Sequence, residues 1–263
     1  MKWTASKLRA LKGVRKIAML TAYDALTASW VDGAEIPAVL VGDSLANTVL
    51  GYETTLPVSM AEMLHHTAAV ARGAGKALVI ADMPFMSYQP SVAMGLENAG
   101  RFIKEANADA VKIEGGAMRA ELIEKLVDNG IPVLGHIGLT PQSIKEMGGY
   151  KVQGKTSEQA RRLMDDAMAV EQAGAFAIVL ECMPAELGGA ISKALSIPTI
   201  GIGAGEGCDG QVLVITDLLG FSDRPVPKFV KKFANLNPLI TEALARYRAE
   251  VEDGTFPSSE QSY

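Results

Sequence analysis

Four acids in this chain each close a short apolar run: Asp43 after "AVLVG", Asp82 after "ALVIA", Glu114 after "AVKI" and Glu181 after "FAIVL". Taken singly, each could belong to a turn or a cap. Asp82 precedes Met83 and Pro84, Asp43 could cap the segment that follows it, and Glu114 stands before two glycines. Repetition at equivalent places points instead to chemistry. Carboxylates brought to one place repel one another unless a cation or protons intervene. Two or three carboxylates, with water and substrate oxygens completing six positions, form the ligand set that Mg²⁺ prefers. Zinc fits less well, because His136 is the one histidine at the end of an apolar run and no cysteine pair accompanies it.

Other groups share these ends. Ser44 adjoins Asp43, and Lys112 sits two residues before Glu114, which places both side chains on the same side of an extended strand. A lysine turned inward is costly unless it meets an anion, either a neighbouring acid or a substrate carboxylate. His136 lies between two glycines, where backbone can approach a ligand closely; it could equally be a satisfied core histidine. The adjacent His65 and His66 face different sides of a helix and read as structural. "GIGAGEG" (201–207) lacks the spacing of a dinucleotide loop and reads as a glycine-rich loop that lets backbone amides approach a ligand.

These residues need elements to hold them. Seven apolar runs of little in/out alternation begin near residues 17, 38, 77, 110, 131, 176 and 197, the pattern of parallel strands buried on both faces. Amphipathic stretches lie between them, with Ser91 and Thr156 as plausible N-caps. Strand alternating with helix implies a parallel sheet. With an eighth strand in "PVPKFVKKF" (225–233) the expectation is a closed (β/α)8 TIM barrel; a doubly wound open sheet is the alternative. "CDGQVLVITDLLG" could be helix or strand. In such a barrel all C-terminal strand ends open onto one face, where the four acids would converge. Residues 45–57 and 147–156 read as long loops, residues 4–12 as a short N-terminal helix, and 255–263 as a mobile polar tail on what reads as one domain.

The chain has 263 residues, 48% apolar and 21% charged, as expected of a globular protein of barrel size. Its net charge of -5 argues against a nucleic-acid partner. Two cysteines without CxxC spacing fit a reducing compartment. No run reaches the roughly 18 apolar residues of a membrane span, and the N-terminus lacks a signal-peptide core, so the expected location is the cytoplasm.

The strings "TAYD", "VGDSL", "TLPV", "HHTAAV", "ADMPFMSY", "VKIEGG", "GHIGLTPQS", "GGYKVQG", "LEC" and "GIGAG", in collinear order from about residue 15 to 257, resemble the ketopantoate hydroxymethyltransferase family. The resemblance implies a barrel of the phosphoenolpyruvate/pyruvate type, assembled as a homodecamer of two pentameric rings. It implies transfer of a hydroxymethyl group from 5,10-methylenetetrahydrofolate to 3-methyl-2-oxobutanoate, giving 2-dehydropantoate, the first step of pantothenate biosynthesis. It places one Mg²⁺ per subunit on Asp43 and Asp82, with Glu114 reaching it directly or through water. It puts substrate contacts on Asp43, Ser44, Asp82, Lys112 and His136, the last beside the site, and the proton-abstracting base on Glu181. A metal there would withdraw electrons from the keto acid and stabilise the enolate formed when its C3 proton leaves. Ala46 and Tyr52 depart from residues common in the family and bear on the folate contacts of their loop.

The rival in the same barrel group is an isocitrate-lyase-like or phosphoenolpyruvate-mutase-like lyase, whose cysteine-bearing gating loop has no counterpart here. A non-catalytic metal- or anion-binding barrel would have no use for a fourth acid.

Overall fold

The apolar runs form eight short strands: β1 (Ile17–Thr21), β2 (Ala38–Val41), β3 (Leu78–Asp82), β4 (Ala110–Glu114), β5 (Val133–Gly138), β6 (Ala177–Glu181), β7 (Thr199–Ile202) and β8 (Gly210–Leu213). In this computed structural model, which describes residues 2–222 and 226–263, every strand runs parallel to its neighbours in sequence. β8 pairs back onto β1, so the sheet is a closed barrel. β2 to β5 are buried at every residue, as both-face coverage requires. β1 and β8 instead alternate, with Ala18 and Gln211 exposed.

The helices are α1 (Ala5–Arg9), α2 (Ala25–Gly33), α3 (Leu45–Thr48), α4 (Met60–Gly73), α5 (Val92–Ala106), α6 (Ala120–Asp128), α7 (Ile144–Met147), α8 (Ser157–Gln172), α9 (Ala185–Ala194), α10 (Ile215–Leu219) and α11 (Leu236–Glu252). Their starts follow capping chemistry, in which a side-chain oxygen takes one of the free N–H groups of the first turn. Ser91 accepts from Met94, and Thr156 forms a reciprocal capping box with Gln159. The segment after Ser44, expected as loop, opens with the single turn of α3.

The eighth strand corrects the sequence reading. It is Gly210–Leu213, and the described part of 225–233, residues 226–233, carries no strand; Pro225 lies outside the described residues. Pro227 removes a ladder donor from the expected segment. Gly210 fits the true one, because a Cβ there would collide with the Ile17 carbonyl on β1. "VLVI" is too short for periodicity to separate helix from strand.

Side chains alternate across each strand, and the inward set has two layers. Low in the barrel Ile17, Met19, Leu40, Leu78, Ile80, Ala110, Leu134, Val179, Ile200 and Val212 form one apolar core. Leu8 of α1 joins it, with Trp3 and Leu11 packed against it, so the N-terminal helix closes the lower end. The same inward columns continue upward into Asp82, Lys112, Glu114, His136 and Glu181.

The chain divides into two compact units, one ending at Val214 that contains the whole barrel, and one from Ile215 to Tyr263 containing α10 and α11. The expected tail carries a 3₁₀ turn at Ser259–Gln261. Among the described residues no helix is long and apolar enough to cross a membrane.

Candidate active site

Parallel register brings the acids together. Asp82 on β3 is paired with Lys112 on β4, Glu114 on β4 with His136 on β5, and Gly138 on β5 with Glu181 on β6. Asp43 stands two residues beyond β2, and its backbone N–H donates to Asp82 Oδ2 at 3.2 Å. Asp43, Asp82, Lys112, Glu114 and His136 are all buried. One oxygen from each of Asp43, Asp82 and Glu114 lies within 4.8 Å of the others.

Lys112 is the internal countercharge. Its Nζ donates to Asp82 Oδ1 at 2.7 Å and Oδ2 at 2.8 Å, and to Glu114 Oε1 at 3.2 Å. The structure thus pairs this lysine with two neighbouring acids. Burial opposes the lysine's charge, but Asp82, Glu114 and Asp43 hold its pKa above the ordinary lysine value. Burial also works against Glu114, yet Lys112 and then His136 outweigh it and hold this carboxyl down to about 2. Asp43 goes the other way: burial, then the charges of Asp82 and Glu114, push it well above the usual carboxylate range. Burial raises Asp82 as well, against the pull of Lys112. Three carboxyls thus crowd around one lysine, and burial and mutual repulsion favour a proton on Asp43 where a cation could stand instead. A buried cluster of three carboxyl oxygens fits a hard divalent cation such as Mg²⁺.

His136 is held between two carboxylates. Its Nδ1 lies 3.4 Å from Glu114 Oε1 and its Nε2 lies 3.2 Å from Glu181 Oε2. Neither ring nitrogen is aligned for a good hydrogen bond, so proximity of charge, not direction, governs the contact. Burial and Lys112 oppose charge on the ring, but the flanking carboxylates prevail and bring its pKa up to about 9. Glu181 stands outside the three-acid cluster, with 15% of its side chain exposed. Its position is fixed from behind: Gly138 has φ of 97°, and a Cβ there would collide with the Glu181 carbonyl. The next residue, Cys182, is itself left-handed at φ 47°, so the chain turns sharply just past the acid.

Ser44 is half-buried, and its Oγ lies 2.9 Å from the Tyr23 hydroxyl. His66 anchors the same end of β1, with Nδ1 2.6 Å from the Tyr23 carbonyl oxygen, while His65 is exposed. The GIGAG loop packs against its own barrel: a Cβ on Gly205 would collide with Ala185 of α9.

Sequence reasoning did not single out Gln142 and Tyr88. Buried Gln142 donates from Nε2 to Asp43 Oδ2 at 3.1 Å and to the Met83 carbonyl at 2.9 Å, and its backbone N–H donates to Glu114 Oε2 at 3.1 Å. Tyr88 donates to Gln142 Oε1 at 2.8 Å, which fixes the amide so that its NH₂ faces the acids. A buried glutamine just past an apolar strand was the available signal, but nothing in the sequence ties residue 142 to residue 43.

Eight parallel strands closed in order, with carboxylates converging at their C-terminal ends, define a class: a (β/α)8 TIM barrel with a candidate cation site. A phosphoenolpyruvate phosphomutase from Streptomyces platensis subsp. rosaceus superposes with a TM-score of 0.62 at 17% identity, covering 95% of this chain and 88% of that one. A 2,3-dimethylmalate lyase superposes with 0.61 at 16%, covering 100% and 93%. Within that class the chain belongs to the ketopantoate hydroxymethyltransferase family, whose model matches residues 2–259, and it is a hydroxymethyltransferase. The 3-methyl-2-oxobutanoate hydroxymethyltransferase of Syntrophus aciditrophicus is 56% identical over 100% of this chain and 97% of its own length. That of Syntrophobacter fumaroxidans is 58% identical over 99% and 92%.

Proposed function

We propose that this barrel transfers a hydroxymethyl group from 5,10-methylenetetrahydrofolate to 3-methyl-2-oxobutanoate, giving 2-dehydropantoate in pantothenate biosynthesis. One observation carries the reading: three acids gather as a cation site while a fourth, Glu181, is held apart from them beside His136. A pure binding site has no need of that fourth carboxylate.

Asp43 and Asp82, with Glu114 directly or through water, would hold one Mg²⁺ per subunit, which supplies Lewis-acid polarisation of the keto acid. The protein's own groups do the rest. Glu181 takes the C3 proton as the C3–H bond breaks, and the electron pair forms the C3–CH₂ bond to the donor's one-carbon unit. One water supplies the product hydroxyl; both carbon–nitrogen bonds to the one-carbon unit break, and the two folate nitrogens leave with the C3 proton, passed on by Glu181, and the water's second proton. Lys112 and Ser44 would meet the substrate carboxylate, as the family resemblance implies. His136, charged, shares its field between Glu114 and Glu181 and keeps the base apart from the cation site. The homodecamer of two pentameric rings and the cytoplasmic location extend this reading by family resemblance.

Proton exchange at C3 of 3-methyl-2-oxobutanoate, followed by NMR in D₂O with Mg²⁺, tests the reading without the folate. The expected result is enzyme-dependent exchange that EDTA abolishes and Glu181→Gln lowers by at least about a hundredfold. No exchange in the intact, Mg²⁺-supplied protein would overturn it.

A further inference from the structure

Beside the acidic cluster lies a cavity of about 670 Å³ that the chemistry described so far does not use. Glu114 and Gln142 are among its lining residues, and Gln142 donates to Asp43, so the cavity adjoins the acidic cluster on the Glu114 side. Its size suits a ligand much larger than a five-carbon keto acid.

The lining is divided by chemistry. Phe85, Met118 and Leu163 present apolar surface, with Met118 75% and Phe85 38% exposed. Arg119, Lys145 and Arg162 supply three cations on the same lining. Among the described residues none of the three is in an ion pair. Arg119 lies over the Tyr88 ring at 5.5 Å, and its Nε is shielded from solvent without an acceptor. A buried guanidinium donor left unmade is costly, and an anion arriving through the cavity would satisfy it. Two acids, Glu146 and Asp166, share the wall. Asp166 is already engaged, accepting from the Ala117 N–H at 2.8 Å.

An apolar shelf next to the reacting centre, edged by unpaired cations, matches a flat aromatic body that ends in carboxylate. We propose that this cavity is the seat of the one-carbon carrier, its ring system against Phe85, Met118 and Leu163 and its glutamate carboxylates at Arg119, Lys145 and Arg162. The proposal rests on the transfer reading above and adds the place and the groups that hold the second substrate. The one-carbon unit then enters from the β4–β5 side, past Glu114 and Gln142.

The test measures binding of 5-formyltetrahydrofolate to the full-length protein by calorimetry, with Mg²⁺ and 3-methyl-2-oxobutanoate present. Lys145 and Arg162 are exposed, so replacing them leaves the core intact. Lys145→Ala and Arg162→Ala should each weaken binding about tenfold, a charged hydrogen bond's share, and the double variant more. In turnover the same variants should raise KM for the methylene carrier more than they change kcat. Carrier-free C3 exchange serves as the check on the transfer reading. Exchange at the wild-type rate together with undiminished carrier affinity in the double variant would overturn this seat. Absence of exchange in the unmodified protein would overturn the transfer reading, and the seat falls with it.

Discussion

His136 Nε2 stands 3.2 Å from Glu181 Oε2, on the ring edge opposite the one that faces Glu114 at 3.4 Å. One imidazole therefore separates the acid proposed as base from an acid proposed as metal ligand. Groups that orient ligands from behind typically account for about 10–100-fold in affinity or rate. His136→Gln removes the charge and should slow C3 exchange by at least about tenfold, while the circular dichroism spectrum stays that of the parent. Exchange at the parental rate would remove His136 from the machinery.

Asp43 is raised well above the usual carboxylate range by burial and by its neighbours Asp82 and Glu114. A cation arriving there must displace the proton that this environment favours. Mg²⁺ binding should therefore release protons and tighten as pH rises. Calorimetry in buffers of different ionisation enthalpy reads the release directly. Asp43→Asn keeps the shape and the contact with Gln142 but removes the charge; it should weaken Mg²⁺ by about tenfold or more and lose most of the pH dependence.

Gly138 holds Glu181 through backbone alone. At φ 97°, with no room for a Cβ against the Glu181 carbonyl, Gly138→Ala must move the end of β6. Strain of this kind costs about 1–3 kcal/mol. The variant should melt several degrees lower and lose C3 exchange more than it loses Mg²⁺ affinity, since Asp43, Asp82 and Glu114 stand on or just past other strands. Thermal denaturation and Mg²⁺ titration separate the two effects.

At the other end of the barrel, Asp209 accepts four bonds: from Lys12 Nζ at 2.7 Å, Thr199 N at 2.8 Å, Thr199 Oγ1 at 2.9 Å and Ser192 Oγ at 2.9 Å. Burial opposes its charge, but Lys12, Thr199 and Ser192 hold its pKa below the ordinary value. A depressed carboxylate contributes stability that is complete above the unfolded value of about 3.9 and is lost as pH falls through the folded one. Asp209→Ala should cost about 3 kcal/mol near neutrality, with the gap to the parent closing below about pH 4. Urea denaturation at several pH values checks both magnitude and sign, and C3 exchange per folded molecule should be unchanged.

Much of this site was legible in the sequence. An apolar run that ends in an acid, repeated at Asp43, Asp82, Glu114 and Glu181, has one economical explanation in a parallel barrel, because every strand end opens on the same face. Lys112 and Glu114 share a side because strand side chains alternate, and Ser91 and Thr156 start helices because their hydroxyls satisfy free N–H groups. All of these are local consequences of residue type and spacing. Tertiary structure alone decided the rest. It chose Gly210–Leu213 over 225–233 to close the barrel, since closure depends on what Ile17 meets across the seam. It gave Lys112 to Asp82 and Glu114, placed His136 between acids from β4 and β6, and brought Gln142 to Asp43. Those pairings join residues far apart in the chain, and register and barrel curvature set them, not the identity of any neighbour in sequence.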